Sequence, residues 1–230
     1  MLYKSAMMTQ ASGSVGGMTA SRNRGGAYMR ARVVPVNPAS AQQVAVRTHL
    51  ASLTSLWSNT LSNDQRTGWA NYAANVPLLN ALGDAIHVSG LNMYLRTNVP
   101  TLQVGLTRVD TAPTVFDLGS LSQCSLANAV SGGPTDFDVA YDNTDAWANS
   151  DTGALLIYCG RPVSQTINFY SAGFRFTGKV DGSATLAPTS PVTVFNPFGF
   201  GAGQRFFVNV RALVGDGRLT TSQTLFINTT

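Results

Sequence analysis

Residues 204–227 read QRFFVNVRALVGDGRLTTSQTLFI, and this stretch decides how the C-terminal half is built. Phe206, Val208 and Val210 repeat every second residue, and Gly215-Asp216-Gly217 returns the chain through Leu219–Ile227. Alternation on both sides of a Gly-Asp-Gly turn specifies a β-hairpin. Phe206 and Phe207 are adjacent, so the pattern leaves open which parity faces inward. The same period of two recurs upstream in Phe137, Val139 and Tyr141 and in Phe174 and Phe176, and Ala154–Cys159 is a short buried run.

About seven strands with turn signals in roughly 110 residues predict an antiparallel β-sandwich of the immunoglobulin or fibronectin-III kind over 115–230. Its expected core is Phe137, Val139, Ile157, Phe176, Phe206 or Phe207, and Leu225. Trp147 lies between Cys124 and Cys159 in order, but in an Asp/Asn/Ser-rich loop rather than a strand. The Cys-Trp-Cys hallmark of antibody domains is therefore not met; Cys124 and Cys159 bridge if both face inward on facing strands, and free thiols are the commoner state of two cysteines in such a core.

Before residue 115 the period changes to that of helices. Ser40 with Gln43 fits a capping box, followed by Val46, Leu50, Leu53 and Trp57 on one seam. Ser62 with Gln65 repeats the box ahead of Trp69, Tyr72, Ala73 and Val76, and Pro77 stops the run. The short 59–61 link predicts an αα-hairpin closing on its two tryptophans. Leu78–Val88 reads as a small hairpin, and Ser89 caps a third helix bearing Leu91, Tyr94 and Leu95 that is expected to end before Pro100. Residues 39–114 thus form a helical subdomain with Trp57, Trp69 and Tyr94 in its core, and the fold class is α+β.

Residues 1–38 show no helical period. Gly13, Gly16, Gly17, Gly25 and Gly26 loosen the segment, and Pro35 and Pro38 keep its exit extended. Ala27–Val34 alternates partly, as an edge strand does. An extended assembly arm follows, carrying Arg22, Arg24, Tyr28, Arg30 and Arg32, that adds to a neighbour's sheet edge; the alternative is that it packs across the helices of its own subunit.

Charge supports that division. All eleven acids are Asp, only two of the fifteen basic residues are Lys, and residues 1–60 contain no acid. A basic end and an acidic end on one chain favour head-to-tail packing of identical subunits. A phosphate-binding tail is a denser basic run than one interrupted by Tyr28, Met29, Val33 and Val34, so nucleic acid is not the expected partner. At 44% hydrophobic and 11% charged the chain is too apolar for disorder. Its longest apolar run, Ala154–Cys159, is far short of a membrane span, and no secretory core is expected in 1–17.

The inventory of reactive groups is thin. His49 and His87 stand alone, without a second ligand at metal spacing. Asp136, Asp138, Asp142, Asp145 and Asp151 offer oxygens but lack a calcium-loop spacing, and Asp serves as a turn former in such loops. Gly199–Gly203 precedes a strand, so the anion-binding helix N-terminus is missing and a flexible loop is expected. No nucleophile motif is present. The sequence therefore implies no catalysis, cofactor or metal.

The run Gly-Ser-Val-Gly-Gly (13–17), Arg24-Gly25-Gly26-Ala27-Tyr28-Met29-Arg30, Val36-Asn37-Pro38, Gln42/Gln43 and Arg47 resembles a pattern in tailed-phage and prophage structural proteins of poorly defined role. Trp57, Gln65, Trp69, Ala73 and Gly90-Leu91-Asn92-Met93-Tyr94 continue the likeness, and Ser190-Pro191 and Gly217-Arg218-Leu219 are similar to the sandwich attached in some members. The resemblance implies a non-enzymatic virion component assembled in the bacterial host cytoplasm. Its implied partners are other virion proteins and copies of itself, with no membrane. A capsid decoration or minor capsid protein comes first and a neck or tail position next. The alternative is a carbohydrate- or receptor-binding adhesion module, stacking sugars on Trp147, Tyr170, Phe198 and Phe200. A hydrolase is the residual reading.

Overall fold

In the computed structural model the described residues are 11–23, 26–80, 82–128, 136–170, 172–199 and 201–229. The chain divides into two compact units, Met1–Ala41 and Gln42–Thr230. The class is α+β, with three helices and several antiparallel sheets among the described residues.

The first unit holds β1 (Gly13–Val15), β2 (Met18–Asn23) and β3 (Gly26–Ala31), an antiparallel meander in the order β1-β2-β3. Gly16 and Gly17 join the first two strands at φ 56° and 83°. Two successive positive φ angles make the two-residue hairpin turn whose twist matches that of its strands, which is why glycines belong there. This corrects the expectation of an extended arm: those two glycines close a hairpin rather than loosen the chain. Regular structure also stops at Ala31, so the expected edge strand through Val34 is cut short.

The second unit opens with α1 (Ala41–Asn59) and α2 (Asn63–Asn75). Ser62 caps α2 with both halves of a capping box: Gln65 N–H donates to Ser62 Oγ at 3.2 Å, and Ser62 N–H donates to Gln65 Oε1 at 2.9 Å. Then come β4 (Leu78–Leu79) and β5 (Ala85–Ile86), a small antiparallel pair, and α3 (Gly90–Gln103). The predicted αα-hairpin does not form. α2 packs along α3 instead, and α1 reaches their shared core only through Leu53, Leu56 and Trp57. Of the seam expected on α1, Leu53 and Trp57 reach that core, whereas Val46 and Leu50 in the first half are exposed. Nor does Pro100 end α3, because it falls in the last turn, where a missing N–H costs one bond and Thr101 Oγ1 donates to the Thr97 carbonyl at 2.8 Å. Gly90 is required at the start of α3, since a Cβ there would lie 2.7 Å from the Ala70 nitrogen.

Residues 104–124 run without regular structure across the helices. Beyond them lie β6 (Ser125–Asn128), β7 (Asp136–Ala140), β8 (Ala154–Cys159), β9 (Val163–Ser164), β10 (Arg175–Asp181), β11 (Val192–Phe195), β12 (Gln204–Leu213) and β13 (Gln223–Asn228). They build one antiparallel sheet in the order β10-β8-β12-β13, with β9 also paired to β12, and a second in the order β11-β7-β6. One core takes Phe137, Val139 and Val194 from the smaller sheet and Leu155, Ile157, Phe206, Val208 and Val210 from the larger. Phe137 and Phe206 meet edge to face at 5.2 Å.

The inward parity of β12 is therefore the even one, and Leu213 on its other face joins Val104, Ala154, Leu156 and Leu219 in a separate cluster. Phe176 departs from expectation. A register shift between Phe176 and Gly178 sets Phe176 opposite Tyr158, with the outer cluster, while Val180 enters the main core. Trp147 also departs: it is fully buried from within its polar loop and packs on Tyr141 at 5.2 Å. Cys124 and Cys159 are free, buried thiols.

Helices and sheets are tied by directed bonds. Arg96 donates to the Leu219 and Thr220 carbonyls at 2.8 and 3.3 Å, and Thr97 Oγ1 donates to the Gly217 carbonyl at 2.9 Å. Burial holds the Arg96 guanidinium below its usual pKa.

Candidate assembly surface

Register places the arm's side chains on two faces. Val15 pairs with Met18, Met18 with Ala31, Ala20 with Met29, and Arg22 with Ala27, so these share one face. Thr19 pairs with Arg30, Ser21 with Tyr28, and Ser14 with Thr19, which makes the opposite face polar. On that face the Ser14 and Thr19 hydroxyls lie 2.8 Å apart. On the apolar face Val15 is 85% exposed and Met18 49%, while Ala20 and Met29 are half-buried.

Of the residues singled out in the arm, Arg22 sits at the end of the apolar face, and Tyr28 and Arg30 lie on the polar one. Arg32 follows β3 and its N–H donates to the Gly17 carbonyl at 2.7 Å, closing the meander. Arg24 lies outside the described residues. Among the described residues, Arg22, Arg30 and Arg32 have no carboxylate partner, since the four ion pairs all belong to the second unit. In the first unit Val33, Val34 and Val36 are also exposed; in the second, Val44, Val46 and Leu50 on α1 are exposed. Sequence reading missed the two-faced sheet, although the Val-Gly-Gly-Met turn signal was present.

The second set is a buried aromatic cluster. Trp69 and Tyr94 are fully enclosed with rings 5.6 Å apart, and Trp57 is partly buried against Tyr94 at 5.5 Å. Trp69 Nε1 donates to the Asp110 carbonyl at 2.9 Å, and Tyr72 Oη donates to the Asp117 carbonyl at 2.5 Å. Burial pushes the Tyr72 and Tyr94 phenols up to about 12, so both are neutral and structural.

The acidic residues act as local ties. Asp145 accepts from the Ser122 N–H and hydroxyl at 2.9 and 2.8 Å, Asp142 from the Thr144 N–H and hydroxyl, and Asp151 from the Ala184 N–H. Asp138 accepts from the Thr193 hydroxyl at 2.7 Å. Among the described residues no group of three or more His, Cys or Asp side chains is placed to hold a metal ion. His87 Nδ1 lies 3.2 Å from the Ala73 carbonyl. No described helix is long and apolar enough to cross a membrane.

Of the four aromatic residues considered for sugar stacking, Trp147 is enclosed and Phe200 lies outside the described residues. Tyr170 stacks on Phe207 at 5.4 Å and its hydroxyl accepts from the Arg161 N–H at 2.8 Å. Phe198 is left, half-buried at a surface groove. No protein-family model, curated protein or solved structure matches this chain.

Proposed function

We propose that the chain is a non-enzymatic structural subunit of a bacteriophage virion, held in place through residues 1–41. A decoration or minor capsid position on the head is the first assignment, and neck or tail the second. The observation that carries this reading is the segregation of surface chemistry between the two units. The first exposes an apolar sheet face and arginines and contains no acid, whereas all eleven Asp residues lie in 42–230. Burial of that apolar face against a neighbour stabilises so small a sheet. An acidic neighbour, whether a second copy or another virion protein, supplies complementary charge as well.

The two facing sheets of 125–228 are read here as an immunoglobulin- or fibronectin-like sandwich, a shape suited to side-by-side packing in a shell. The resemblance of the Gly/Arg-rich arm and Trp-bearing helices to tailed-phage structural proteins points the same way. Sedimentation of native particles from the producing host tests the assignment. The chain should travel with intact particles in many copies; recovery only as a free monomer, or with turnover in a hydrolase screen, would contradict it.

A further inference from the structure

One carboxylate of the second unit is left over. Nine of the eleven Asp side chains accept a hydrogen bond or join an ion pair, and Asp136 has a partner as well. Among the described residues Asp64, exposed in the first turn of α2, has none. Its charge suits the helix N-terminus, which leaves its oxygens open.

Asp64 stands at a groove of about 370 Å³ between α2 and residues 111–116. Ala112 and Pro113 are the buried part of its lining, and half-exposed Phe116 adds an apolar side. Gly68 leaves the α2 side open, since a Cβ there would stand 3.5 Å from the Ala112 Cβ. The lining is thus apolar with one free negative charge. A few side chains of an extended segment fill such a groove.

The first unit carries a segment of matching chemistry. Arg32-Val33-Val34-Pro35-Val36 follows β3 without regular structure, and its three valines are largely exposed. Pro35 and Pro38 keep it extended, so little entropy is lost when it binds. The Arg32 N–H is used within the meander, but its guanidinium has no partner among the described residues.

We propose that the groove at Asp64 seats residues 32–36 of a second copy of this chain, with Arg32 paired to Asp64 and valines against Pro113 and Phe116. The proposal rests on the reading of residues 1–41 as the assembly segment, and it names what they grip. The unpaired base and the unpaired acid belong to the same sequence, so each copy brings one segment and one groove. Copies then join head to tail. A small amine would match Asp64 but leave the apolar lining and the valines uncovered.

Analytical ultracentrifugation of the full chain over a concentration series tests the contact. The wild-type chain should self-associate, and less so at high salt. Asp64→Arg and Arg32→Asp should each weaken association about tenfold or more, because a like-charge pair replaces an unlike one. Both positions are exposed, so each variant should still melt cooperatively. An equimolar mixture of the two variants should restore association, because each segment then meets a groove of opposite charge. A wild-type Kd above about 1 mM, undiminished association of both variants, or a mixture that stays monomeric would each overturn the contact. The monomeric mixture is the result expected of a segment seated in its own chain's groove. Sedimentation of native particles separates the two readings: a chain that travels with particles but fails these tests keeps the virion assignment and loses this contact, and the reverse result does the opposite.

Discussion

Replacing Trp69 should cost far more than replacing Trp57, although both tryptophans occupy apolar seams of neighbouring helices. Trp69 is fully enclosed, meets Tyr72 and Tyr94 edge to face at 5.9 and 5.6 Å, and donates its indole N–H to the Asp110 carbonyl. Burying about 200 Å² at about 25 cal/mol per Å² gives roughly 5 kcal/mol, an upper estimate. Large-to-small core changes of this kind cost about 3–5 kcal/mol, and the orphaned carbonyl adds about 1. Trp69→Ala is therefore expected to lose about 4–6 kcal/mol. Trp57 is only partly buried, and its ring contact is to Tyr94. Trp57→Ala should lose about 2 kcal/mol on the same area scale. Urea unfolding followed by far-ultraviolet circular dichroism measures both. Equal losses, or a larger one at Trp57, would mean that α1 packs against α2 as the sequence suggests, and the described arrangement would be wrong.

Three further outcomes follow from individual contacts. Burial pushes the Cys124 and Cys159 thiols up to about 11 and about 12, so a disulfide reagent at neutral pH should label neither until the chain unfolds, then both. Asp117 is held below its usual pKa by Arg218 at 2.5 Å and by the Gly119 N–H at 2.7 Å. Its contribution is present above the ordinary carboxylate range and lost as pH falls through the lowered folded value, so Asp117→Asn should flatten that part of the acid limb in a melting-temperature titration. Gly182→Ala would set a Cβ 2.1 Å from the Trp147 carbonyl oxygen, and a loss of more than about 3 kcal/mol in thermal unfolding is expected for so hard a clash.

What the sequence disclosed depended on whether the signal was local. The capping box at Ser62, the Gly-Asp-Gly turn and the alternation of Phe137 with Val139 are decided by neighbouring residues, and each appears where it was read. Helix partnership is not local: the seam on α1 states which side is apolar, not what covers it, and α3 takes the place beside α2. Phe176 shows the weakness of counting by twos, because one irregular residue reverses the parity of a strand. Trp147 was hidden by its polar neighbours, whose side chains form loop bonds while the indole fills the core. The groove at Phe198 is assembled from residues 161, 162, 198 and 204, which no spacing rule connects. In the arm the signal was present but outweighed: glycine between Val15 and Met18 can mean freedom or a tight turn, and the flanking residues decide for the turn.

Deleting residues 1–38 and counting the copies retained in purified particles tests the assembly role most directly. The deletion leaves the compact unit of 42–230 whole, so the truncated chain should stay folded and soluble. The account predicts that it no longer joins the particle. Incorporation of the truncated chain at full copy number would contradict it and move the assembly surface to the remaining unit.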